Sequence, residues 1–228
     1  MSAPLALIPW TEVPDRPMVL VPLGSTEQHG PHLPFATDTM IADAVAHAVA
    51  ERIRTSLTRP IVVAPALPFG ASGEHQDFPG TISIGHDALR ILLVELIRSL
   101  STWASRIVLV NGHGGNALTV KAVINQMRDE QHDVRSISCA LETTTDAHAG
   151  HDETSVMLHL APDRVHMDSA RPGNTQPLQE LLPDLMRSGV RHVSPNGILG
   201  DPTTASVSTG GREFLALVDR VAAEVLHE

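Results

Sequence analysis

The chain has 228 residues, 42% hydrophobic and 18% charged, with a mean hydropathy of +0.02, which suits one globular domain spanning 1–228 with a sizeable core. Its formal net charge of −10, from 16 Lys and Arg against 26 Asp and Glu, would repel a phosphate backbone and argues against nucleic acid as a partner. A single cysteine, Cys139, excludes an intrachain disulfide and fits a cytoplasmic compartment, while the lack of a basic leader or of about 18 consecutive apolar residues predicts a chain neither secreted nor membrane-spanning.

In chain order, the apolar run Met18, Val19, Leu20, Val21 predicts a short buried strand over 19–23, and Ile41, Val45, Ala48, Val49 and Ile53 recur at helical spacing within 39–57. Between them lies LGSTEQHGPHLPFATD, residues 23–38, a strand-to-helix loop that holds one glutamate, two histidines and one aspartate. A second strand is predicted over 61–64, followed by GEHQDFPGTIS at 73–83 and a helix over 87–104. In that helix Leu89, Leu92, Leu93, Leu96, Ile97, Leu100 and Trp103 mark one face, and Asp87 takes the N-cap position. A third strand over 107–110 leads through NGHGGN into a helix over 117–130, and a fourth over 134–139, with Cys139 in its interior, leads to AHAGHDETSVML. Further helices are predicted over 153–160, 177–187 and 210–226. Strands alternating with helices in this rhythm predict a mostly parallel sheet covered by helices on both faces.

The chain carries 13 histidines and no tyrosine, so the placement of histidine has to decide its role. In parallel sheets ligands sit beyond the carboxyl ends of the strands. Glu27, His29 and Asp38 follow the first strand, Glu74 and His75 the second, His113 the third, and His148, Asp152 and Glu153 the fourth. Glu27 and His29, two apart, would face the same side of an extended segment and could reach a metal ion. Asp38 could bridge two ions or cap the helix; Glu153 could be a ligand, with His148 as acid or base, or simply acidify a helix start. His75 is a candidate substrate contact, or part of an ordinary polar turn. His32 beside prolines reads as structural or exposed, and His47, His132, His192 and His227 as surface residues. His113 is a candidate metal ligand, yet Gly112, Gly114 and Ala117 around it also satisfy G-x-G-x-x-A, with Glu142 as acidic partner, so a nucleotide-binding protein is the rival reading. A non-catalytic metal-binding protein is the third. There is no H-E-x-x-H, G-x-S-x-G or G-x-x-x-x-G-K-[ST] run.

GSTEQHGPHLPFATD, GEHQDFPGTIS, VNGHGGN and HAGHDETS, in this order, resemble the creatininase family of metal-dependent amidohydrolases, over about residues 18–160, with a weaker echo in GILGDPTTAS. The resemblance implies a three-layer α/β/α sandwich with a mostly parallel sheet, two divalent metal ions (zinc or iron(II), possible also manganese(II)), and commonly a ring-like homo-oligomer. It implies that Glu27 and His113 are ligands of one ion, His29 of the other, Asp38 the bridging carboxylate and His148 the catalytic histidine. Where creatininase has a metal-binding glutamate two residues past the third-strand histidine, this chain has Gly115, and Glu153 is the expected replacement. The tryptophans are Trp10 and Trp103, neither in the loop before His148, which argues against creatinine as substrate. Overall likeness is greatest to the family's mycofactocin-system peptidase branch, implying hydrolysis of the modified carboxyl-terminal end of a small precursor peptide; a small cyclic amide or formamide is the alternative within the family.

Overall fold

The computed structural model describes residues 4–141 and 146–227. Four strands, β1 (Met18–Leu23), β2 (Ile61–Val63), β3 (Arg106–Asn111) and β4 (Val134–Ser138), form one sheet in the order β2-β1-β3-β4. All its pairings are parallel, with Met18 opposite both Ile61 and Arg106, Leu23 opposite Asn111 and Ile107 opposite Val134. The helices are α1 (Thr37–Ile53), α2 (Gly85–Leu100), α3 (Ala117–Asp129), α4 (His151–Leu160), α5 (Leu178–Ser188), α6 (Val190–Val193) and α7 (Val207–Leu226).

Every residue of β1 is buried, as a central parallel strand covered on both faces requires. Its side chains alternate between two cores. Met18 and Leu20 join Val108, Val110 and Ile137 under α1, α4 and α7, whereas Val19, Val21 and Leu23 join Ile107 and Leu109 under α2 and α3. The result is the α/β/α sandwich. Pro22 sits in this central strand without cost to the ladder: β2 ends at Val63, and the Pro22 carbonyl still accepts from Leu67 N–H at 2.9 Å.

Several expectations about elements need correcting: α1 ends at Ile53 rather than 57, and α2 at Leu100 rather than 104, which leaves Trp103 beyond the helix. Helix α2 starts at Gly85, so Asp87 lies in its first turn, and no side chain caps that end. Cys139 lies one residue beyond β4; it remains buried, and its N–H donates to the Asn111 carbonyl at 2.7 Å. Helix α7 begins at Val207 rather than 210, because Ser206 accepts from Thr209 N–H at 3.2 Å and so opens the helix ahead of two glycines. Gly210 is needed there for packing: a Cβ on it would lie 1.7 Å from the Ser155 carbonyl oxygen of α4.

From β1 the chain crosses to β2 on one side and then returns to β3 on the other. The order therefore reverses between β1 and β3, and the crevice beyond their carboxyl ends is where this architecture binds ligands.

Candidate metal centre

The loops leaving β1 and β3 flank that crevice. In the first, Glu27 and His29 are fully buried. His29 Nδ1 lies 3.1 Å from the Glu27 carbonyl, to which it can donate, and this turns Nε2 toward Asp38 Oδ1 at 3.0 Å. Asp38, the second residue of α1, is likewise buried; Ser25 Oγ donates to its Oδ2 at 2.5 Å. Its carboxylate makes no cap contact, so the capping alternative falls. His113 comes from the second loop, with Nε2 3.2 Å from Glu27 Oε2 and Nδ1 3.4 Å from Asp38 Oδ2.

The nucleotide reading loses its ground here. His113 projects between two buried carboxylates, which would repel a pyrophosphate. The Asn116 amide is committed to the Gly24 carbonyl and to Ala71 N–H, at 3.1 and 2.9 Å. Glu142 lies outside the described residues.

After β4 the chain supplies His148 and Glu153. Glu153 Oε2 accepts from Ala149 N–H at 2.6 Å, while its neighbour Asp152 accepts from His151 Nδ1 at 2.8 Å. Of the two acids it is Glu153 that joins His29 and Asp38; donor atoms of these three lie within 4.8 Å of one another, as do those of Glu27, Asp38 and His113, and of Glu27, His29 and His148. A further group, Asp146, His151 and Asp152, lies apart and consists of side chains already paired with backbone N–H groups or with one another.

Gln28 ties the histidines together. His148 Nε2 is 2.8 Å from the Gln28 carbonyl, an acceptor only, and 3.1 Å from the Gln28 side-chain nitrogen; the shorter contact favours the proton on Nε2, with Nδ1 facing Glu27 Oε1 at 3.8 Å. The Gln28 side-chain amide then donates to His75 Nδ1 at 2.9 Å and to the Gly197 carbonyl at 3.0 Å. His75 Nε2 accordingly carries its proton, directed at Glu27 Oε1 3.4 Å away. His32 is buried and structural, with Nε2 2.8 Å from Thr154 Oγ1.

Sequence reasoning passed over Glu74 as a member of this group. A Cβ on Gly115 would meet His113 Nε2 at 2.4 Å and Glu74 Oε1 at 2.6 Å, so position 115 has no room for a side chain and a carboxylate from the turn after β2 stands there instead. Glu74 Oε1 is 3.5 Å from His113 Nε2. The one signal in the sequence was the adjacent Glu74 and His75 in a loop beyond a strand end.

Electrostatics show what the cluster demands. Burial alone would lower His29, but the Asp38 carboxylate holds it up to about 10. Burial likewise opposes charge on His113, yet Glu27 and Asp38 keep it well above the usual imidazole range. His75 is pushed down to about 4, and His148 is held well below the usual imidazole range, both chiefly by burial. Burial raises Glu153 to about 7 against the pull of His29. Buried acids thus draw positive charge inward, and even so both carboxylate oxygens of Glu27 are buried without a hydrogen-bond partner. A desolvated carboxylate in that condition is costly unless a cation meets it. The donor set therefore fits divalent metal ions.

Comparison with known proteins agrees with this architecture. The sequence model of the family described as Creatinine amidohydrolase matches residues 6–225. The chain is 55% identical over 206 residues to the mycofactocin precursor peptide peptidase of Mycolicibacterium smegmatis, covering 90% of this chain and 83% of that one. It superimposes on a manganese form of creatininase with a TM-score of 0.78 at 27% identity, covering 99% of this chain and 98% of that one. A mutant creatininase of zinc–zinc type gives 0.73 at 28%, with 92% and 90% covered.

Proposed function

The chain belongs to the creatininase family and is a hydrolase of amide C–N bonds, and we propose that the bond it cleaves lies in a small modified peptide, the mycofactocin precursor for which its relatives at 51–55% identity are named. The cut would release the modified carboxyl-terminal core of that peptide. The observation that carries the reading is the pair of buried Glu27 oxygens, which make no hydrogen bond and are approached by His75 and His113 at 3.4 and 3.2 Å, with Asp38 common to two donor groups.

Glu27, Asp38 and His113 would hold one divalent ion, and His29, Asp38 and Glu153 the other. Such ions supply Lewis acidity to the scissile carbonyl and to water. Mixed imidazole and carboxylate donors suit zinc, and iron(II) and manganese(II) as well. Among the chain's own groups, neutral His148 has its Nε2–H fixed on the Gln28 carbonyl and Nδ1 facing the cluster, an arrangement suited to taking a proton from the attacking water and passing it to the departing nitrogen. The water oxygen ends in the new carboxyl group, the C–N bond breaks, and the amine leaves with that proton. Glu153, a ligand in this reading, is held in place by Ala149 N–H and could also serve the reaction as an acid or base beside His148. His75, lining the same cavity, would contact substrate. Domain extent, location and assembly belong to the same reading: one catalytic domain over 1–228, cytoplasmic, self-associating. The lone buried Cys139 supports the location, and the exposed Leu7 and Trp10 support self-association. Among the described residues no helix is long and apolar enough to cross a membrane.

The test is incubation of metal-loaded protein with the modified precursor peptide, read by mass spectrometry. Two fragments whose masses sum to the peptide plus one water are expected, none after chelation, and restored cleavage on adding metal back. Cleavage by verified metal-free protein, or hydrolysis of small amides with the peptide left intact, would overturn the proposal.

A further inference from the structure

The cavity that opens onto Glu27, His113 and His148 extends well beyond them, to a volume of about 990 Å³. That is near the upper end of small-ligand pockets, which run about 300–1,000 Å³. Its far wall has a different character. Helix α5, LQELLPDLMRS, is strongly amphipathic, yet among its residues only Leu181 is buried. Leu178, Leu182, Leu185 and Met186 instead line the cavity, and Leu118 in the first turn of α3 lines it from another side. Of these, Leu182 is 43%, Leu118 76% and Met186 83% exposed. A helix that turns its apolar stripe away from the core, into a cavity continuous with a hydrolytic site, has no evident structural use for that stripe.

Resting on the peptidase reading above, we propose that this wall is the specificity subsite for the substrate. It takes an apolar side chain from the residue next to the scissile amide, while Glu74 and His75 at the junction face the polar backbone. Continuity fixes the occupant: whatever reaches the histidine and carboxylate end fills the same cavity as the leucines. The volume suits a peptide segment rather than one small ring. Helix α5 packs chiefly on α6 and on the turn at Gly73–His75, so it brings the apolar wall to the same turn that carries Glu74 and His75.

The test uses the metal-loaded full chain, its Leu182→Asn/Met186→Asn variant, and two acetylated tripeptide amides that differ only in a central leucine or asparagine, with binding read by calorimetry. Withdrawing a leucine side chain from water corresponds to about tenfold or more in affinity. The parent should favour the leucine peptide by about that factor, and the variant should bind both within about twofold, with metal content and oligomer mass unchanged. Equal binding of both peptides by the parent, or undiminished preference in the variant, would overturn the subsite. So would a fall in oligomer mass with the parent's preference retained, which would assign the face to a second copy of the chain. If the parent prefers leucine yet cleaves no peptide, the subsite stands and the peptidase reading fails. Because Leu182 and Met186 are exposed, the variant should fold, and its melting temperature checks this.

Discussion

Asp152 and Glu153 are neighbours in sequence with opposite surroundings: the first is turned to His151, the second toward His29 and Asp38. Glu153→Gln should therefore lower metal content from about two ions per chain toward one, while Asp152→Asn leaves it unchanged, as read by elemental analysis of dialysed protein. Equal loss in both variants would show that the helix start, not a ligand, had been disturbed. The same pair marks what a sequence can reveal at this scale. Glu27, His29, Asp38 and His113 were legible as a group because each follows a strand end, and strand ends of a parallel sheet share an edge. Glu153 against Asp152 could be ranked only by reference to Gly115, and even that argument missed Glu74, which occupies the space beside Gly115 through a contact between loops after β2 and β3. The Gln28 contacts to His75, His148 and Gly197 were invisible for the same reason, since nothing local to Gln28 announces partners so far along the chain.

At the scale of elements, apolar periodicity found the strands and most helices, but helix ends depended on chemistry that periodicity does not record. Asp87 resembled a cap and is not one, while Ser206 is a cap and moves α7 forward by most of a turn. The contact between α4 and α7 is close because Gly210 has no side chain, and this gives a test of packing independent of the site. Gly210→Ala would force a methyl group to within 1.7 Å of the Ser155 carbonyl unless the helices part. Overpacking of this kind costs about 1–3 kcal/mol, so the midpoint of urea unfolding should fall with its slope unchanged. A variant as stable as the parent would mean that the two helices do not approach so closely.

For the molecule as a whole, the alternating rhythm of strands and helices sufficed for a parallel α/β sandwich, but not for the order β2-β1-β3-β4, which is decided by pairing between distant segments. That order places the crevice between β1 and β3, and the candidate donors come to it from the loops after β1, β3 and β4 as well as from α1. A ligand that binds the folded chain at about 100 times its dissociation constant adds about 2.7 kcal/mol to stability. Chelation should accordingly lower the melting temperature, and Glu27→Gln, which removes a proposed ligand, should shrink the difference between metal-loaded and chelated protein. An unchanged melting temperature on chelation would mean that the ions, if bound, do not bridge these segments. The scattered origin of the donors has a consequence outside catalysis. Without ions, only histidines stand between buried carboxylates that repel across the gap; these are the segments from which opening and proteolysis should begin. In a cell starved of metal the protein would then be removed by turnover as well as silenced, so its abundance would report metal supply.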